Sequence, residues 1–147
     1  MIPEIDIDMI IEDEEDIIEN MENIGRVPLY DFKKREYVIR DGKIIEATQD
    51  EALCQWVAFT ILTKKEKFEV YKNIDFGCYI ENYIGLKMQN KGFVASEIKR
   101  EITEICKSHK LIENIDNFNF EVRNGIATID FEIIKKNGEV LEVKLDV

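Results

Sequence analysis

The sequence contains one histidine, His109, and three cysteines, Cys54, Cys78 and Cys106, in 147 residues. That inventory excludes most site chemistry. A structural zinc site needs four donors, usually in pairs two to four residues apart. Cys106 and His109 have that spacing, but neither Cys54 nor Cys78 has a paired partner. A Cys-His nucleophile would also lack an orienting third group. The simpler expectation is a buried Cys106 thiol, with His109 just past a helix end, complementing its dipole. Three widely spaced cysteines make no disulfide framework, which suits a reducing compartment. Lys and Arg are absent from the first 25 residues, so no basic leader is expected, and no apolar run nears the ~20 residues of a membrane span. Beyond Lys33-Lys34-Arg35 and Lys64-Lys65 there is no concentrated basic patch, which disfavours nucleic acid. The expectation is a cytosolic protein without cofactor, metal or catalytic residues, and with a binding or structural role.

Acids are plentiful. The formal charge is −11, from 31 acids against 20 basic residues. Ten of those acids lie in residues 1–25, which leaves 21 acids against all 20 basic residues in the remainder. The division predicts an acidic N-terminal arm, residues 1–25, on a nearly neutral single domain, residues 26–147. In the arm, "EIDIDMII" alternates with period two, while Ile17, Ile18, Met21 and Ile24 have helical spacing. Ile10, Ile17, Ile18 and Met21 are the candidate partner contacts, on a segment expected to order against a partner. The plain alternative is a solubilising tail.

After Gly25 and Pro28 come short extended pieces, with Asp41-Gly42 between two apolar pairs as a hairpin signal. Thr48-Gln49-Asp50-Glu51 is a capping box. The helix it starts lines Leu53, Trp56, Val57, Thr60 and Ile61 on one face, widened by Phe59 and Leu62, and ends near Lys64-Lys65. Trp56 reads as core. Tyr79, Ile80, Tyr83 and Ile84 predict a helical turn closed by Gly85, and Gly92 a further break. A second helix is expected over Val94–Lys107, with Ala95, Ile98, Ile102, Ile105 and Cys106 inward. The last third alternates as a β-meander from Phe118, turning at Asn124-Gly125 and Asn137-Gly138, each expected to supply two positive-φ residues. The fold class is therefore α+β: an antiparallel C-terminal meander packed on two main helices, with an N-terminal hairpin and an acidic extended arm.

Asp75-Phe76-Gly77 matches a kinase magnesium motif in letters only, since the glycine-rich loop, strand lysine and catalytic loop are missing. The structural reading is that Asp75 caps a short helix, Phe76 plugs the core and Gly77 turns the chain. The last strand ends the meander with Leu141, Val143 and Leu145 on its apolar side. It either pairs with the earlier hairpin or leaves an edge on which another chain adds a strand.

The string from Asp41-Gly42 through Glu51-Ala52, Gln55-Trp56, Leu62-Thr63, Tyr71, Asp75-Phe76-Gly77 and Ile80 to Gly85 resembles the sheath-initiator baseplate wedge proteins of contractile phage tails. It is most similar to their XkdS-like branch in prophages and tailocins. The layout is similar over 28–147 and the motifs over 41–85. The resemblance implies a structural α+β protein, present in multiple copies in the baseplate of a virion or tailocin particle and assembled in the bacterial cytoplasm. It implies that the sheet templates the tail sheath protein by strand augmentation through Leu141, Val143 and Leu145. It also implies docking on baseplate wedge and hub or tube proteins, a task the arm suits. One departure stands out: "YIGLKMQN" occupies the place of the family's Glu-Pro-Arg-like motif, so the wedge contact does not transfer. The competing reading is an acidic regulatory or inhibitor module whose arm binds a basic protein.

Overall fold

A computed structural model describes residues 24–65, 77–80, 83 and 91–147. Its contacts divide the chain into two units, Met1–Ala52 and Leu53–Val147. Among the described residues the elements in order are β1 (Tyr30–Asp31), β2 (Glu36–Tyr37), β3 (Ile39–Arg40), β4 (Lys43–Ile44), α1 (Gln49–Leu62), α2 (Lys91–Lys107), β5 (Ile112–Arg123), β6 (Ile126–Lys135) and β7 (Val140–Asp146). The class is α+β, with a C-terminal antiparallel sheet packed on the helices. Among the described residues no helix is long and apolar enough to cross a membrane.

The first unit is a pair of hairpins. β1 pairs with β2 through Tyr30↔Tyr37, and β3 with β4 through Ile39↔Ile44. Asp41 and Gly42 have φ of 49° and 72°, the two positive values that a two-residue turn requires. The Lys33-Lys34-Arg35 triplet is a solvated turn. The Asp31 carboxylate closes it by accepting the Lys33 and Lys34 N–H groups at 2.9 and 3.0 Å. The Lys34 bond does most to hold that carboxyl below its usual range. Val38 donates to Leu29 at 2.9 Å, Ile45 to Val38 at 3.0 Å and Leu29 to Ile45 at 2.8 Å, so the hairpins share one hydrogen-bonded junction.

The capping box forms as expected. Thr48 N–H donates to Glu51 Oε2 at 2.8 Å, and Glu51 N–H to Thr48 Oγ1 at 3.2 Å. Thr48→Ala should lower stability by about 1 kcal/mol, read as a lower urea midpoint at unchanged slope. A double variant with Glu51→Ala should lose less than the sum of the two, because both bonds belong to one motif.

In the second unit, Leu53, Val57 and Ile61 of α1 are buried along with Gln55, Ala58 and Thr60. The helix is thus covered on more than one face. Thr60 Oγ1 donates to the Trp56 carbonyl at 2.7 Å, which satisfies a hydroxyl inside the core. Leu62, expected on the buried face, is instead exposed. The helix stops there, so Lys64-Lys65 lie beyond its last turn and not within it. α2 starts before Gly92, which is therefore a first-turn residue and not a break. Its buried stripe is Val94, Ile98, Ile102 and Cys106, spaced i, i+4, with Ala95 and Ile105 only partly covered.

The sheet has the order β5-β6-β7. Ala127, Ile129, Phe131 and Ile133 of the central strand are at most 2% exposed. β5 begins at Ile112, six residues before the expected start at Phe118. Its register shifts between Ile112 and Asn114 and again between Asp116 and Asn119, and Asn117 has φ 50°. These bulges break the period-two pattern, so Ile112 and Ile115 are both buried at a spacing of three. Asn124-Gly125 makes the expected turn, with φ of 51° and 79°. Asn137-Gly138 does not, since only Gly138 has positive φ. Lys135 donates to Glu139 at 2.8 Å and Gly138 to Lys135 at 2.9 Å, so three residues form the loop and Gly138 takes the bulge position.

Candidate functional site

β7 is an outer strand, and hydrogen-bond parity decides what it presents. Val147 donates to Ala127 at 2.7 Å, and Ala127 donates back at 3.4 Å. Hydrogen-bonded pairs alternate along an antiparallel ladder. Leu145–Ile129, Val143–Phe131 and Leu141–Ile133 are therefore the bonded pairs within the register of β6 and β7. Leu141, Val143 and Leu145 direct their backbone groups at β6. Val143 and Leu145 are buried and Leu141 half-buried. The residues that turn N–H and C=O outward are Val140, Glu142, Lys144 and Asp146. Among the described residues no strand pairs with that outer edge.

The side chains of those four residues lie on the polar face. Lys144 is opposite Asp130, but Glu142 is opposite Glu132, a like-charge pair. Asn117 Nδ2 donates to Glu132 Oε2 at 2.7 Å, and Thr128 Oγ1 to Asp146 Oδ1 at 2.9 Å. Glu142, by contrast, forms no ion pair with a Lys or Arg among the described residues.

Gly77 has φ 101°, and a Cβ there would lie 2.8 Å from the Thr63 carbonyl oxygen. It precedes Cys78, which makes a parallel bridge to Lys64. Asp75 and Phe76, with the cap and plug expected of them, lie outside the described residues, as do Ile10, Ile17, Ile18 and Met21. Trp56 is half-buried, with its ring 4.6 Å from that of His109. It borders a cleft of about 290 Å³ with Tyr79, Tyr83 and Glu101.

Burial pushes the Cys106 thiol up to about 12, so it is no thiolate near neutral pH. His109 Nδ1 accepts the Leu111 N–H at 3.2 Å. Burial, and secondarily Lys110, lower its pKa. Both causes disfavour the charged imidazole that would complement the dipole at the end of α2. Among the described residues no three His, Cys, Asp or Glu side chains are grouped to hold a metal ion.

A model of the contractile injection system sheath initiator family matches residues 26–138. The chain belongs to that family. Comparison with curated proteins gives no match. The sheath initiator has a structural role in sheath assembly, interacts with tail sheath components and sits in the tail or baseplate of its particle. The match begins after the acidic arm and ends in the loop before β7.

The sequence points to Leu141, Val143 and Leu145, whereas the outward backbone belongs to Val140, Glu142, Lys144 and Asp146. A two-residue and a three-residue loop both close on Glu139 and leave the same β7 residues bonded inward; what the loop length changes is which β6 residues lie opposite them.

Proposed function

We propose that this sheath initiator is a baseplate component of the XkdS-like branch, in a phage tail or tailocin, and that it templates the sheath by accepting a strand of the tail sheath protein along β7. The outer edge of β7, unpaired among the described residues, supports this reading. An added strand bonds to Val140, Glu142, Lys144 and Asp146, and its apolar side chains continue the core face of Leu141, Val143 and Leu145. The role is geometric: the baseplate passes a strand register to the first sheath ring, in multiple copies and without catalysis or cofactor. The acidic arm, residues 1–25, is the candidate link to wedge and hub or tube proteins. Assembly in the bacterial cytoplasm is part of the same reading.

Lys144→Pro tests it. That N–H points away from β6, so proline removes a donor from the partner's ladder and none from the domain's own. The folded variant should keep its circular dichroism and fail to start sheath on baseplates. Val143→Pro, which breaks the β6 ladder, should unfold the sheet and serves as the comparison. Normal sheath assembly by folded Lys144→Pro would overturn the proposal.

A further inference from the structure

The sequence of β7 is self-complementary. Val143 is its centre, flanked by Glu142 and Lys144, and then by Leu141 and Leu145. Val143 bonds to Phe131 of β6, so on the outer edge its backbone groups are not offered, while those of Glu142 and Lys144 are. We infer that two copies of the free sheath initiator pair through β7, antiparallel about a two-fold axis at Val143. In that arrangement Glu142 and Lys144 of the second copy are directly opposite and exchange both backbone hydrogen bonds. The symmetric pair does the same, as do Val140 and Asp146. Leu141 meets Leu145 of the second copy on the core face.

Charge selects this register. Moving the axis to Glu142 sets two glutamates opposite each other, and moving it to Lys144 sets two lysines. An axis between residues is excluded, because it would put inward-bonding groups against outward ones and core side chains on the polar face. Pairing at Val143 also gives Glu142 a cation, which it lacks among the described residues. Within one copy its cross-strand neighbour is Glu132, whose Oε2 already accepts from Asn117. The row then runs Glu132, Glu142, Lys144 of the second copy, Asp130 of the second copy, with the lysine between carboxylates. The chain's own arm is a poor competitor, since its period-two stretch alternates apolar residues with acids and would bring carboxylates to Glu142 and Asp146. That sheath must displace the second copy rests on the function proposed above; the pairing itself does not.

The test uses the full chain with no sheath protein, in sedimentation at about 0.15 M salt, where charge repulsion beyond ~8 Å is screened. The natural sequence should show a concentration-dependent dimer. Glu142→Lys and Lys144→Glu should each weaken it on the order of tenfold, by setting like charges opposite. An equimolar mixture of the two single variants should form mixed dimers in preference, and the doubly swapped chain should dimerise like the natural one. Both side chains are exposed, so folding should survive, as circular dichroism checks. If one single variant misfolds, the other single variant carries the test. A monomer at every concentration would overturn the inference, as would a dimer indifferent to the swaps, which would place the contact on another face.

Discussion

Gly77→Ala should cost roughly 3 kcal/mol or more, the largest effect expected of any single-methyl addition in the described residues. Two causes add. At φ 101° the backbone is outside the range of an L side chain, worth about 1–2 kcal/mol. The new Cβ would also stand 2.8 Å from the Thr63 carbonyl oxygen and 3.0 Å from Lys65 Cα and N, all backbone atoms. Those atoms cannot retreat freely. Cys78 N–H donates to the Thr63 carbonyl at 2.9 Å, and Lys65 N–H donates to the Cys78 carbonyl at 3.1 Å. The Cys78 thiol adds a bond to the Ile61 carbonyl at 3.1 Å. Moving either side sacrifices bonds worth about 1 kcal/mol each. Urea unfolding should show the loss, and the Lys65 and Cys78 amides should exchange faster. Gly42→Ala is the comparison, with φ 72° but nothing within 4 Å of its Cβ. An equal cost at the two glycines would refute the close-approach argument.

Phe131→Ala should remove about 3–5 kcal/mol. The ring is 2% exposed in the central strand, opposite Val143 on β7 and 6.3 Å from the Phe118 ring on β5. It is therefore a contact common to all three strands. Its loss leaves a cavity between two outer strands that have no other described strand to hold them. Ile126→Ala is the control: Ile126 is in the same strand but 55% exposed, and should change stability by less than about 0.5 kcal/mol. The urea midpoints of the two variants decide the matter, and comparable losses would mean that the sheet has no packed centre.

What the sequence made legible was chemistry confined to a few residues. The Thr48/Glu51 box, the Asp41-Gly42 turn and the Asn124-Gly125 turn each depend on side chains or φ preferences within four residues. The buried face of β6 was equally readable, because nothing interrupts its alternation. β5 was misread at its start because a bulge changes the phase of the alternation without any residue that announces it. Gly92 suggested a break, yet the first turn of a helix tolerates glycine at little cost. The polarity of Leu62 misled in the other direction, since an apolar residue at a helix end need not meet the core. The position of His109 alone suggests a charge complementing the helix dipole, while burial and secondarily Lys110 disfavour its charged form, and the packing against Trp56 joins residues far apart in the chain. The outward backbone of Glu142 and Lys144 is within reach of the sequence, because a loop at Asn137-Gly138 closes on Glu139 and sets that parity for β7.

The bulges in β5 have a consequence for stoichiometry. An outer strand accepts another only along an unbroken row of N–H and C=O groups, and the shift between Asp116 and Asn119, with Asn117 at φ 50°, interrupts that row. β7 has no such shift in its register. Among the described residues, β7 is thus the longer unbroken outer edge of the sheet. Two equivalent edges would make it divalent, and divalent units that pair edge to edge grow into fibres without limit. The bulges bias the sheet against that outcome: strand addition at β7 alone stops after a single event, whether the strand that arrives belongs to a second copy or to the sheath.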